Sequence, residues 1–405
     1  MARDSADLVI VGAGTIGGWA SVFAAEAGLR NVVVLEHEQA GAGASGRAAG
    51  MVRAQGGTPD TVRLGSWSIG FYRSQRDRYV TDSGFVQRGY VILATTARGE
   101  RAARDRIAMQ RDVGLDARWV DVDEVRRLIP AMAGDGYRGG SYVGTDGWID
   151  PSRNVRAYSL AMQRAAVSLR EGVGFVGIRT RAGRRSRREV TAVVTTAGTI
   201  ATPRVLLTGG PALQAVAGAA GARAWVGYVR HQVAVTERSD ALHTDTTAMA
   251  FDLDAGLYWR PEEGGLLFGM SNPDESPGPG RSIDWPYLRT MERRLHRFMP
   301  ATRGLGLKKA WAATIEYTPD HLPIVGPLVV ADGIEIDGAS IASACGHGMM
   351  WGPAVSRIAV DLAVHDTTEV VERPSDLRMD RFDEDGRSAL VDPIALPFPV
   401  ALAED

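Results

Sequence analysis

The chain is short of the residues that pin exported or metal-bound proteins together. Among 405 residues there is one cysteine, Cys345, so no intrachain disulfide can form, and no Cys/His grouping has zinc spacing, so no metal is expected. Lysine occurs only at Lys308 and Lys309, within 46 Lys+Arg in all; a lysine-based Schiff base therefore has two candidates. The formal charge of −2 supplies no positive field for a nucleic-acid backbone or an anionic membrane surface. No apolar run approaches the roughly 18 residues of a spanning helix, and the first, Leu8–Val11, is too short for a signal segment. These absences point to a cytoplasmic protein with no nucleic-acid partner and no membrane span.

What is present is an ordinary globular composition, 45% hydrophobic and 23% charged, long enough for two domains. The opening residues read as a βαβ unit: strand Leu8–Val11, helix Ile16–Ala27 ending at Gly28, strand Val32–Leu35. Gly12, Gly14 and Gly17 stand between strand and helix, where they permit a tight turn and a close approach of backbone to a pyrophosphate at the helix N-terminus. Glu36 closes the second strand at the distance expected of a ribose-binding acid and disfavours a 2′-phosphate, hence NADP. A second glycine-rich stretch, Gly41–Arg53, is small and flexible enough to lie against a large planar ring. Further on, the pattern predicts a helix over Pro151–Val167 capped by Asp150, a strand Val205–Thr208 running into Gly209 and Gly210, and helices Arg98–Val113 and Val125–Leu128. Alternating stretches at Phe85–Thr95, Arg223–Glu237, Met249–Trp259 and Leu266–Met270, the last two around a turn at Pro261–Gly265, predict a second, largely antiparallel sheet. The basic run Arg184–Arg188 reads as a solvated turn.

Four ordered motifs, Gly12–Gly17 with Glu36, Ala44–Gly50, Tyr317–Gly326 and Cys345–Met350, together resemble the FAD-dependent D-amino-acid oxidase and sarcosine oxidase superfamily over nearly the whole chain. The resemblance implies an α/β fold: a discontinuous Rossmann-like FAD-binding domain (1–84, 146–222 and 311–380), an α+β substrate domain on the antiparallel sheet (85–145 and 223–310), and a tail (381–405). It assigns cofactor contacts to Gly12, Gly14, Thr15, Ile16, Gly17, Glu36 and His37 at the adenosine and pyrophosphate, to Ala44, Ser45, Arg47, Ala49, Gly50 and Met51 nearer the ring, to Val176 in the adenine strand, to Gly210, and to Gly346, His347, Gly348, Met349 and Met350 at the ring edge.

Departures from the family pattern narrow the chemistry. The positions of its covalent tethers are held by Ala313 and Arg47, so FAD is expected to be noncovalent. Its substrate-carboxylate arginine falls at Ile315 and a lysine with the same task at Met350, neither of which can serve. Arg53 remains to hold an anionic group, with His231 and Tyr258 on the substrate side and Glu316 open either to a substrate ammonium or to a sheet-edge salt bridge. The lysine that assists dioxygen in sarcosine oxidases falls at Leu267, which implies sluggish reoxidation by dioxygen. The expected activity is oxidation of a C–N bond in an amino acid or small secondary amine, with dioxygen or another acceptor taking the electrons. Two alternatives stand: a 2-hydroxy acid or alcohol dehydrogenase with His231 as base, or a flavin-carrying subunit docking through Pro393–Pro399. Homo- and hetero-oligomers both fit.

Overall fold

A computed structural model describes residues 4–79, 81–133, 135–183, 187–330 and 332–394. Arg184–Ser186 of the basic run and the tail beyond Ile394 lie outside them. Arg187 and Arg188 are exposed and pair with acids on the neighbouring strand, Arg187 at 3.0 Å from Glu335.

Leu8–Val11 is the centre of the first sheet because both its faces are covered: every residue is buried, as a continuous apolar run in a parallel sheet should be. It pairs in parallel with Val32–Glu36 on one side and Val205–Leu207 on the other, Val9 lying opposite Val33 and Val205. Ser168–Glu171 extends the sheet beyond Val32–Glu36, and Glu335–Ser343 extends it beyond Val205–Leu207. Helix Thr15–Glu26 packs on this sheet between Pro151–Arg164 and Gly352–His365. Its contact surface is aromatic: at centroid distances of 4.8 to 6.2 Å, Trp19 stacks on Phe23, meets Phe71 and Tyr158 edge-on and lies tilted to Tyr79.

The second sheet runs Leu307–Tyr317, Gly227–Thr236, Gly265–Ser271, Leu257–Glu262, Met249–Asp252, Tyr90–Ala94, Gly139–Val143, Ala117–Val120. All its pairings are antiparallel except Met249–Asp252 against Tyr90–Ala94. Two details differ from the sequence reading. The stretch Met249–Trp259 is two strands, broken after Asp252, and Pro261 lies within a strand; the reversal falls at Glu263 and Gly264, where positive φ values of 51° and 80° make the tight turn. Asp150 and Asp121 cap their helices as expected, their carboxylates accepting from Ser152 N–H and Glu124 N–H at 2.8 Å. A small ribbon, Met51–Val52 with Gly147–Trp148 and Val86–Gln87, joins the two sheets.

Candidate active site

A cavity of about 460 Å³ runs from the glycine loop after Val11, between the two sheets, to Arg53 and the cap strands. Every residue assigned from the sequence lines it except Val176. The wall there is Val173–Phe175, and Val176 is 51% exposed. The physical reason is register: the strand beside Val32–Glu36 is Ser168–Glu171, so the chain crosses the cavity at Val173, whose N–H donates to Glu36 O at 2.9 Å, before the next strand begins at Phe175.

At the nucleotide end the chain comes close to itself. Gly12 has φ 98°, and a Cβ on Gly17 would stand 1.9 Å from Gly12 O, so only glycine fits there. The loop is fixed from behind by Tyr158, whose hydroxyl donates to Ala13 O at 2.9 Å, and by Asn154, which donates to Thr15 Oγ1 at 3.1 Å and accepts from Trp19 Nε1 at 3.0 Å. Glu36 accepts from Ala13 N–H and Glu38 N–H, both at 2.9 Å, one per carboxylate oxygen. Oε2, which accepts from Ala13 N–H, keeps a lone-pair direction for a sugar hydroxyl. His37 is exposed at the rim, its Nδ1 3.0 Å from Glu36.

The second glycine stretch is bolted to both halves of the molecule. Ser45 Oγ accepts from Thr15 N–H at 2.9 Å, and Arg47 turns its guanidinium back onto the carbonyls of Ala42 and Gly43. From the cap sheet, Trp311 Nε1 donates to Arg47 O and Arg260 Nε to Ala49 O, each at 2.8 Å. Gly50, at φ 78°, passes so close to Ile149 that a Cβ would stand 2.2 Å from the Ile149 oxygen. Across the cavity Cys345 and Gly346 take positive φ of 50° and 71°. His347 donates Nδ1–H to Cys345 O at 2.6 Å, the carbonyl leaving only that tautomer. Burial, and then the nearby Arg53 charge, pull His347 down to about 3, so it is neutral. Cys345, fully buried and accepting from Thr318 N–H and hydroxyl, is pushed up to about 12 and is no nucleophile.

At the far end Arg53 is 6% exposed, and its one hydrogen bond goes to Gln55 O. Among the described residues no carboxylate lies within ion-pair distance of it. His231 Nε2 lies 2.6 Å from the Tyr258 hydroxyl, and Nδ1 lies 2.9 Å from Ser271 Oγ. Burial pushes His231 down to about 4 and Tyr258 well up, so the pair is neutral. Tyr90, Phe251, Met270, Ile315 and Met350 complete a largely apolar chamber.

Glu316 forms no sheet-edge salt bridge. It is 5% exposed, 3.4 Å from Ser343 Oγ, and faces Gly210 without a cationic partner among the described residues; burial pushes it up to about 6. Leu267 does not reach the cavity. It packs in the cap core at 1% exposure, opposite Arg260 in the neighbouring strand. The wall also includes Thr208, at the end of the expected strand, His321, inside the Tyr317–Gly326 motif, and Ile394, none of which was assigned a contact. His321 sits at φ 59°, in a turn where glycine is at ease.

A glycine cradle at a helix N-terminus, an acid with free lone pairs beside it, a second glycine loop opposite a ring-edge loop, and an elongated cavity joining them are the fittings for a flavin dinucleotide. The family profile described as "FAD dependent oxidoreductase" (DAO) matches residues 7–362, and the chain belongs to that family. Among curated proteins it is 26% identical over 358 residues to 4-methylaminobutanoate oxidase (formaldehyde-forming) of Paenarthrobacter nicotinovorans, covering 84% of this chain and 42% of that one. It is 25% identical over 371 residues to glycine oxidase of Geobacillus kaustophilus, covering 88% and 92%. The chain thus spans less than half the length of the first relative. Among solved structures, L-proline dehydrogenase from P. horikoshii superposes with a TM-score of 0.84 at 20% identity, covering 94% of this chain and 98% of that one. No helix among the described residues is long and apolar enough to cross a membrane.

Proposed function

We propose that this chain oxidises the C–N bond of a small amino acid or secondary amine that carries a carboxylate. Bound FAD supplies the acceptor for the hydride that leaves the carbon, and the imine product hydrolyses in water. The observation that carries this reading is Arg53, a buried guanidinium without a carboxylate of its own, at the end of an apolar chamber. A substrate carboxylate satisfies it. Glu316 lines the same cavity but faces Gly210; the amine binds neutral, with its lone pair free to assist the departing hydride. His231 and Tyr258, locked to one another, shape the amine pocket, and the N–H groups of Gly346–Met350 stabilise negative charge at the ring edge. The Rossmann loop and Glu36 hold the adenosine and pyrophosphate; Ala313 and Arg47 offer no tether, so FAD is held without a covalent bond.

The hydroxy-acid alternative is disfavoured by the same geometry. It needs a base to take a hydroxyl proton, and His231 has both ring nitrogens engaged and its basicity lowered to about 4. Of the docking-arm segment only Pro393 and Ile394 are described, Pro393 exposed and Ile394 buried in the body of the protein. Cys345, buried and unpaired, suits the reducing cytoplasm. Anaerobic mixing with N-methylglycine, proline, glycine, lactate and glycolate tests the reading. Bleaching of the flavin by amines supports it, and bleaching by hydroxy acids alone overturns it.

A further inference from the structure

The Arg53 end of the chamber is closed by a residue from the opposite end of the chain. After helix Gly352–His365 the chain runs back along the first sheet, where Arg381 grips Asp320 with two hydrogen bonds of 2.7 and 2.9 Å. Both side chains are almost wholly buried. Asp320 O then accepts from Asp392 N–H at 3.0 Å, and the Asp392 carboxylate accepts from Ile394 N–H at 2.9 Å. Gly57 makes room for this turn, since a Cβ there would stand 1.9 Å from Asp392 Oδ1 and 2.8 Å from Pro393 Cδ. The consequence is a chain that dives: Val391 is 61% exposed, whereas Asp392 and Ile394 are each 4% exposed. Ile394 ends on the wall of the chamber that Arg53, Tyr90, His231 and Tyr258 also line. Asp392 senses the charges of Arg53 and Arg106 but makes an ion pair with neither, so Arg53 stays available to a ligand.

We propose that Ile394 is a specificity-determining residue: its side chain sets how many carbons can separate the amine from the carboxylate bound at Arg53. The proposal rests on the Arg53 reading above. The buried Arg381–Asp320 pair and the two bonds of the turn tie the Ile394 backbone to the body of the protein, which is what a size filter needs. The wall is also apolar, so it discriminates by volume alone, and each methylene admitted or refused is worth about tenfold or more in apparent affinity.

The test compares wild type, Ile394→Ala and Ile394→Phe as FAD-loaded proteins. Anaerobic flavin reduction is titrated with N-methylglycine, N-methyl-3-aminopropanoate and N-methyl-4-aminobutanoate. The alanine variant is expected to shift the affinity ratio towards the longer amines by about tenfold, and the phenylalanine variant to shift it the other way. An unchanged ratio in both overturns the proposal. Binding of straight-chain carboxylates from ethanoate to hexanoate, followed by the flavin absorbance change, reads the same wall without any reaction. If no amine reduces the wild type, the proposed reaction fails, and the chain-length limit still decides on Ile394: a limit that moves with the substitution supports the filter, and one that does not move removes it. Ile394→Val replaces the alanine variant if that protein does not retain FAD.

Discussion

Replacing Arg53 with alanine is the sharpest perturbation of the site. The guanidinium is buried and has one backbone acceptor, so its remaining donors are free for a substrate carboxylate. A charge-assisted pair of this kind is worth about 1.5–3 kcal/mol, which corresponds to a loss of apparent affinity of roughly ten- to hundredfold. Arg53→Lys keeps the charge but not the planar fork and is expected to recover only part of this. A second readout comes from Asp146, whose carboxylate accepts from Ala54 N–H at 2.8 Å and Gln55 Nε2 at 3.0 Å. Burial pushes Asp146 up to about 7, against the opposing pull of those hydrogen bonds and of the Arg53 charge. An acid raised in the folded state holds its proton more tightly there than in the unfolded chain, so this group's contribution to stability falls as pH rises from about 4 to about 7. Without Arg53 the group is raised further, and the decline extends to higher pH. The assay is an anaerobic titration of flavin bleaching with N-methylglycine, paired with denaturant unfolding at pH 6 and pH 8. Unchanged affinity with full flavin occupancy would refute the assignment of Arg53 to substrate and leave it a structural residue.

Other outcomes are equally definite. Tyr258→Phe removes the partner 2.6 Å from His231 Nε2 and leaves a buried ring nitrogen unsatisfied, a cost of about 1–3 kcal/mol; thermal unfolding and the rate of flavin reduction should both show it, and a variant identical in both would detach the pair from the site. Glu36→Ala takes the acceptor from Ala13 and Glu38 N–H groups as well as from the sugar, so FAD affinity should fall at least about tenfold, measured by the fluorescence of flavin released on dilution. Acid precipitation should leave the yellow colour in the supernatant; a yellow pellet would mean a tether that Ala313 and Arg47 cannot provide. Leu267→Lys should lower stability, because it puts an ammonium at a buried position, and should speed reoxidation by dioxygen, because its cross-strand partner Arg260 shares its face and reaches the glycine loop at Ala49 O; unchanged stopped-flow reoxidation would place the side chain behind the wall.

The parts of the site legible in the sequence are those built by short-range rules. Glycine spacing at Gly12–Gly17 and the acid at Glu36 specify a local turn and its ligand-facing donors, and the ring-edge loop at Gly346–Met350 is likewise local. Arg53 stood out through the family resemblance, whose other anion-binding positions are held by Ile315 and Met350. What remained hidden depends on contacts across hundreds of residues. Trp311 reaches Arg47 over 264 positions and Arg260 reaches Ala49 over 211, and no composition or periodicity near any of the four residues signals the meeting. The Val176 error has a similar origin, since whether a wall residue falls at 173 or 176 is decided by which strand pairs with Val32–Glu36. Glu316 was visible as an acid but not as one without a cationic partner, because its surroundings come from Gly210, in the turn after Val205–Leu207, and Ser343 on another strand.

The two indole and guanidinium bonds from the cap sheet to the carbonyls of Arg47 and Ala49 mean that the roof of the chamber and the bed of the cofactor are mechanically one piece. A cap that swung aside as a rigid flap would have to break both bonds or drag the glycine loop with it, spoiling the seat of the ring on every turnover. The same linkage runs in reverse. A ligand that stiffens the glycine loop also stiffens Trp311 and Arg260 in their strands, so loading with FAD should slow amide exchange in Leu257–Glu262 and Leu307–Tyr317, strands that belong to the other sheet.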